Sequence, residues 1–125
     1  MYKQYINGKL TDGKGKTAEI FNPATDEVVG VVGCANAEQA REALDAANEA
    51  FKTWSKTPVN ERAAWLYKLK EACTAERDTL IDLVSAESGR PYAAACGDVD
   101  WLLTSLSYYA VQAQRSEGEI MPSLA

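Results

Sequence analysis

The 125-residue chain contains no histidine. That absence excludes a Ser-His-Asp constellation and a Cys-His nucleophile pair, and removes the side chain most often used as a general base. The three cysteines, Cys34, Cys73 and Cys96, are odd in number and widely spaced. They fit neither a disulfide framework nor a zinc cluster and read as ordinary small, partly buried thiols. Basic charge is also short, with 13 Lys and Arg against 18 Asp and Glu and a net charge of -5. A nucleic-acid partner needs a clustered basic surface, whereas Lys9, Lys14 and Lys16 sit in a glycine-spaced turn. No apolar stretch approaches the ~20 residues of a membrane span. Met1-Tyr2-Lys3-Gln4 lacks the apolar centre of a secretory signal, so a cytoplasmic chain without nucleic-acid or membrane partners is expected. A phosphate-binding glycine loop is missing too: Gly30 and Gly33 fall within an expected strand, without the helix start a pyrophosphate would use.

What is present is an ordinary globular composition, 46% hydrophobic and 25% charged. A chain of this length buries about two-thirds of its unfolded surface, enough for a core. Tyr5 to Leu10 predicts a strand and tight turn around Asn7-Gly8, a pair that accepts the positive φ of a primed hairpin turn. Thr11 to Lys16 reads as loop. Ala18 to Phe21 and Val28 to Val32 predict an antiparallel pair joined by Asn22-Pro23-Ala24-Thr25-Asp26-Glu27, where Pro23 removes a ladder donor.

Helical periodicity follows. Asn36 and Gln39 have capping-box spacing, and Ala40, Ala43, Leu44, Ala47, Ala50, Phe51 and Trp54 gather on one face, which is expected to be buried. Thr57-Pro58 predicts a cap and first-turn proline for a second helix lined by Ala63, Leu66, Leu69 and Cys73. A third stripe, Leu80, Leu83 and Val84, runs into Ser88-Gly89-Arg90-Pro91, where glycine suits a left-handed cap. The last helix is expected from about Tyr92 to Ser116. Val99, Leu102, Leu106, Tyr109 and Ala113 form its main stripe, and Trp101, Ser105, Tyr108 and Gln112 a second that calls for a partner on another side. Asp98 and Asp100, two apart, face different directions on a helix and read as solvent-facing charge.

The elements Tyr5-Ile6-Asn7-Gly8, Asn22-Pro23-Ala24-Thr25 and Glu87-Ser88-Gly89-Arg90-Pro91, followed by Tyr108-Tyr109-Ala110 and Glu117-Gly118-Glu119, are weak singly. In this order and spacing the chain resembles the N-terminal segment of the NAD(P)-dependent aldehyde dehydrogenase superfamily. The resemblance implies an α/β fold, N-terminal part only: short antiparallel strands (about 5–32) followed by three or four long amphipathic helices (about 36–118). Residues 1–125 would then be the N-terminal part of a cofactor-binding domain, with the Rossmann core, catalytic cysteine and general base outside the chain. Met121 to Ala125 would be a connection leading onward.

By the same resemblance, Gly97 and Trp101 are candidates for the substrate tunnel. Ile20 and Phe21, through backbone carbonyls, and Glu87, through its side chain, are candidates for a monovalent cation site, although Arg90 stands where lysine is commoner. The parent enzyme would oxidise an aldehyde to a carboxylic acid with NAD or NADP. For the isolated chain no catalytic or cofactor-binding residue, no activity and no bound cofactor are expected. Its partners would be the remainder of an aldehyde dehydrogenase or further copies of itself. The alternative is a stand-alone helical interaction or assembly module.

Overall fold

The computed structural model describes residues 1–115 and Gly118. Two antiparallel hairpins precede four helices: β1 (Gln4–Ile6), β2 (Lys9–Thr11), β3 (Thr17–Phe21), β4 (Val28–Gly33), α1 (Ala37–Trp54), α2 (Val59–Ala75), α3 (Arg77–Ser88) and α4 (Tyr92–Ala113). The first hairpin closes over Asn7 and Gly8, with φ of 49° and 76°, both in the region a type I′ turn demands. Thr11, expected in a loop, completes β2 by pairing with Gln4.

In the second hairpin the register runs from Thr17↔Gly33 to Ile20↔Gly30 and then shifts, so that Phe21 pairs with Val28. The intervening turn is built on Asn22. Its side-chain oxygen accepts from the Ala24 amide at 2.9 Å, and its carbonyl accepts from Asp26 at 2.8 Å. Asp26 supplies the left-handed position (φ 59°) that aspartate tolerates better than most residues. The outer edge of β4 is partly covered, because Tyr2 makes a parallel bridge to Val32 and donates to the Val31 carbonyl at 2.8 Å. The uncovered edge of this strand pair therefore lies on β3.

The capping box at the start of α1 forms as expected: Asn36 accepts from the Gln39 amide at 2.9 Å, and the Gln39 side chain returns to the Asn36 backbone. Gln39 also reaches across to the loop after β2. Its Oε1 accepts from the Lys14 amide at 2.7 Å and its Nε2 donates to the Asp12 carbonyl at 2.9 Å. A buried amide that satisfies loop and helix together fixes how α1 leaves the sheet region. Gly13 completes this junction, since a β-carbon there would lie 2.2 Å from the Gly33 carbonyl oxygen.

The core lies among α2, α3 and α4. Ile81, Ala95 and Val99 are buried together, with Leu80, Val84 and Cys96 packed around them. Ala63 of α2 and Leu106 and Ala110 of α4 extend burial along the helices. Small residues on α4 allow close helix approach, and its buried stripe contains two alanines and one valine for a single leucine.

Several expectations are corrected. The apolar face of α1 is open rather than buried, with Leu44 70% and Phe51 62% exposed; α1 packs chiefly on β1 and finds no helix to cover that face. Leu69 on α2 and Leu102 and Tyr109 on α4 are likewise exposed. Thr57 does not cap α2: Pro58 is the N-cap, without a side-chain cap bond, and Thr57 Oγ1 instead donates back to the Thr53 carbonyl. Helix α4 ends at Ala113, short of the expected limit. The expectations for Ser116, the Glu117-Gly118-Glu119 element, the limit of about 118 and the 121–125 connection fall on, or rest on, residues outside those described.

Candidate functional site

Helix α4 carries the chemistry the sequence singles out. It begins at Tyr92, just after Pro91, whose preset φ suits a helix entry. Gly97 and Trp101, four apart, share a face that points away from the buried Ala95–Val99–Leu106–Ala110 stripe. Trp101 is 73% exposed, and a β-carbon added at Gly97 would meet no atom within 4 Å. Tyr108 continues this exposed side about two turns on, its ring edge-on to Tyr109 with centroids 5.3 Å apart. The second stripe thus lies outside the core, as an expectation of a separate partner requires. Gly97 and Trp101 form an open face rather than an enclosed pocket.

Polar contacts fix the pose of that helix. Arg77 grips Asp100 through two bonds, Nε to Oδ1 at 2.9 Å and Nη2 to Oδ2 at 3.0 Å. Arg90 pairs with Asp98, and Lys70 donates to Ser107 at 2.7 Å. The two aspartates read as solvent-facing charge are exposed, and each is also held by an arginine. Those pairings span 23 and 8 residues and leave no periodic trace in the sequence. The hydrogen bonds that Arg77 donates to Asp100 raise the Arg77 pKa further above its already high value, against a desolvation that lowers it. Asp100 directly precedes Trp101, so the bidentate grip also sets the rotation of the helix at Trp101.

The elements that carry the cation candidates meet in a close approach. Gly89 caps α3 in the left-handed region, and a β-carbon there would stand 2.8 Å from Pro23 Cγ and 2.9 Å from the Ala24 nitrogen. The end of α3, which bears exposed Glu87, is thereby seated on the turn that follows Ile20 and Phe21. Carbonyl oxygens with one carboxylate are the donors a hard cation prefers. No group of three or more His, Cys, Asp or Glu residues gathers as a metal site among the described residues.

The strand-to-helix junction is filled by the chain's own groups. Gly30 faces the Tyr2 ring, Gly33 is packed against Gly13, and the first turn of α1 is occupied by the Asn36 and Gln39 side chains and the Asp12–Lys14 loop. The cysteines are all free and half-buried. Cys96 belongs to the core, as a small hydrophobe would. No described helix is long and apolar enough to cross a membrane.

Comparison with known proteins accounts for this arrangement. The aldehyde dehydrogenase family profile matches residues 10–125. The chain is 35% identical over 124 residues to malonate-semialdehyde dehydrogenase 2 of Oceanobacillus iheyensis, covering 98% of this chain and 26% of that protein. It is 33% identical over 122 residues to succinate-semialdehyde dehydrogenase [NADP(+)] 2 of Schizosaccharomyces pombe, covering 97% and 25%. Among solved structures, lactaldehyde dehydrogenase from Escherichia coli superposes with a TM-score of 0.90 at 32% identity, over 99% of this chain and 26% of that one. Betaine aldehyde dehydrogenase from Staphylococcus aureus in complex with NAD+ superposes at 0.87 with 26% identity, over 98% and 26%. The chain thus spans about a quarter of the length of the relatives it matches. The family match from Leu10 to Ala125, joined to superposition on solved members over nearly the whole chain, makes this chain a member of the aldehyde dehydrogenase family, corresponding to its N-terminal segment.

Proposed function

We propose that residues 1–125 serve as the N-terminal part of the cofactor-binding domain of an enzyme that oxidises an aldehyde to a carboxylic acid with NAD or NADP. The observation that carries this reading is the family match over nearly the whole chain, joined to a final helix with its Gly97–Trp101 face left open. In that role the chain contributes shape rather than reacting groups. Trp101 and Gly97 line the passage by which substrate arrives, the indole narrowing it and offering apolar contact. Ile20, Phe21 and Glu87 hold a monovalent cation that braces the Asn22–Glu27 turn against α3. The nucleotide and the attacking cysteine belong to the rest of the parent protein, and the chain alone neither turns over aldehydes nor holds NAD(P).

The test is Trp101→Ala in the full-length parent, with stability measured beside kinetics. A change in aldehyde preference that exceeds any change in cofactor affinity supports the tunnel role. Equal effects on both overturn it.

A second reading, an assembly module that docks onto a longer dehydrogenase subunit or onto itself, draws on the uncovered Leu44 and Phe51 face of α1 and the Trp101 and Tyr108 face of α4. Light scattering over a concentration series separates the two. A strictly monomeric chain that folds cooperatively at high concentration favours a self-sufficient module over a fragment, whereas self-association marks surfaces lacking their natural cover.

A further inference from the structure

We infer that Asn7 is a site of spontaneous backbone-assisted deamidation, reactive while the chain is folded. Asn7-Gly8 is the single Asn-Gly pair among the five asparagines of the sequence. In the reaction the Gly8 backbone nitrogen, losing its proton to base, forms a bond to Asn7 Cγ. The Cγ–Nδ2 bond breaks and ammonia leaves. Water then opens the resulting five-membered imide at either carbonyl, giving aspartate or iso-aspartate. No oxidant or cofactor enters the balance.

The fold leaves this pair open to the chemistry and protects the other four asparagines. Both residues are exposed at the tip of the β1–β2 hairpin, and no atom lies within 4 Å of the position a Gly8 β-carbon would take. The Gly8 N–H makes no backbone hydrogen bond among the described residues. Ring closure needs the nitrogen eclipsed with the Asn7 side chain, a ψ of about -120° at positive φ, which is the first central position of a type II′ turn. Asn7 already has φ 49°, so rotation of the single Asn7–Gly8 peptide plane converts the present turn into the reactive one, and glycine accepts both.

Elsewhere the reaction is blocked. Asn22 precedes Pro23, which has no N–H, and its side chain is engaged with Ala24. Asn36 is committed to the α1 cap, and Asn48 and Asn60 lie within helices that hold φ negative.

The product alters a charged neighbourhood. Asn7 lines an open cleft of about 880 Å³ with Glu42, Asp45 and Glu49 on the α1 side and Lys9 and Lys14 on the hairpin side. A new carboxylate at Asn7 adds negative charge to this cleft from the hairpin side. The iso-aspartyl form also lengthens the two-residue loop by a methylene and breaks the Ile6↔Lys9 pairing.

Peptide mapping by mass spectrometry, on the intact chain incubated at mildly alkaline pH with and without denaturing urea, tests the site. In the folded chain Asn7 is expected to convert at least about tenfold faster than Asn48 and Asn60, which react only after local opening. Its own rate should differ between the two conditions far less than theirs. Asn7→Gly, which keeps a turn-compatible pair, should abolish conversion at that position while leaving the circular dichroism spectrum unchanged. Suppression of Asn7 by folding as strong as that of the helical asparagines overturns the inference, as does conversion at Asn48 or Asn60 as fast as at Asn7.

Discussion

Gly89 and Pro23 meet more closely than any side chain would permit, the would-be β-carbon standing 2.8 Å from Pro23 Cγ. The contact joins the last turn of α3 to the turn between β3 and β4, and it depends on a φ of 65°. Gly89→Ala should therefore lose at least about 1–2 kcal/mol from the left-handed conformation alone, with the steric overlap added. Gly97→Ala, in an exposed helical position with no atom nearby, should instead gain about 0.5–1 kcal/mol. Urea unfolding midpoints of the two variants, moving in opposite directions, check both.

Core and pattern make different demands. Ile81 is fully buried, so Ile81→Ala should cost about 2–5 kcal/mol. Leu44→Ala, on the open face of α1, should stay within about 0.5 kcal/mol of the wild type. Chemical denaturation of the two variants side by side measures the difference.

At Gln39 one side chain serves three backbone groups, the Asn36 and Lys14 amides and the Asp12 carbonyl. Gln39→Ala strands polar groups in a half-buried loop and should cost about 1–3 kcal/mol. The loss should be accompanied by faster hydrogen exchange at the Lys14 amide.

Desolvation raises the Tyr92 pKa, and the charges of Cys96, Asp78 and Asp82 raise it further, while Arg77 opposes them. The folded state thus prefers the neutral phenol. Its contribution is fully present below the unfolded value of about 10 and is lost as pH rises through the higher folded value. The stability difference between wild type and Tyr92→Phe should accordingly be flat at neutral pH and turn against the wild type as pH rises past the unfolded value of about 10, as read from thermal unfolding across an alkaline pH series.

Local chemistry made much of the fold legible. The Asn7-Gly8 turn, the Asn36–Gln39 box, the Asn22-Pro23 turn and the Gly89 cap each rest on residues adjacent in sequence, and each forms. Burial was less legible, since periodicity identifies an apolar face without saying what covers it. The stripes of Leu44 and Phe51 and of Leu102 and Tyr109 have the right spacing and no cover, whereas Ile81, beside the expected Leu80 and Leu83, takes the deepest position. At the candidate site, Gly97 and Trp101 were singled out only by the family resemblance, and the helix puts both on one exposed face. The Arg77–Asp100 and Arg90–Asp98 pairs join different elements, so spacing along one helix could not reveal them.

The near isolation of α1 has a thermal consequence. Its stability comes from the capping box, the Gln39 bonds and the packing on β1, while α2, α3 and α4 share a core in which α1 takes no part. Heating should release the two parts separately, each melting at its own temperature. Calorimetry would then return a total enthalpy larger than the van't Hoff value drawn from the steepest part of the transition, the signature of a small chain that does not melt as one.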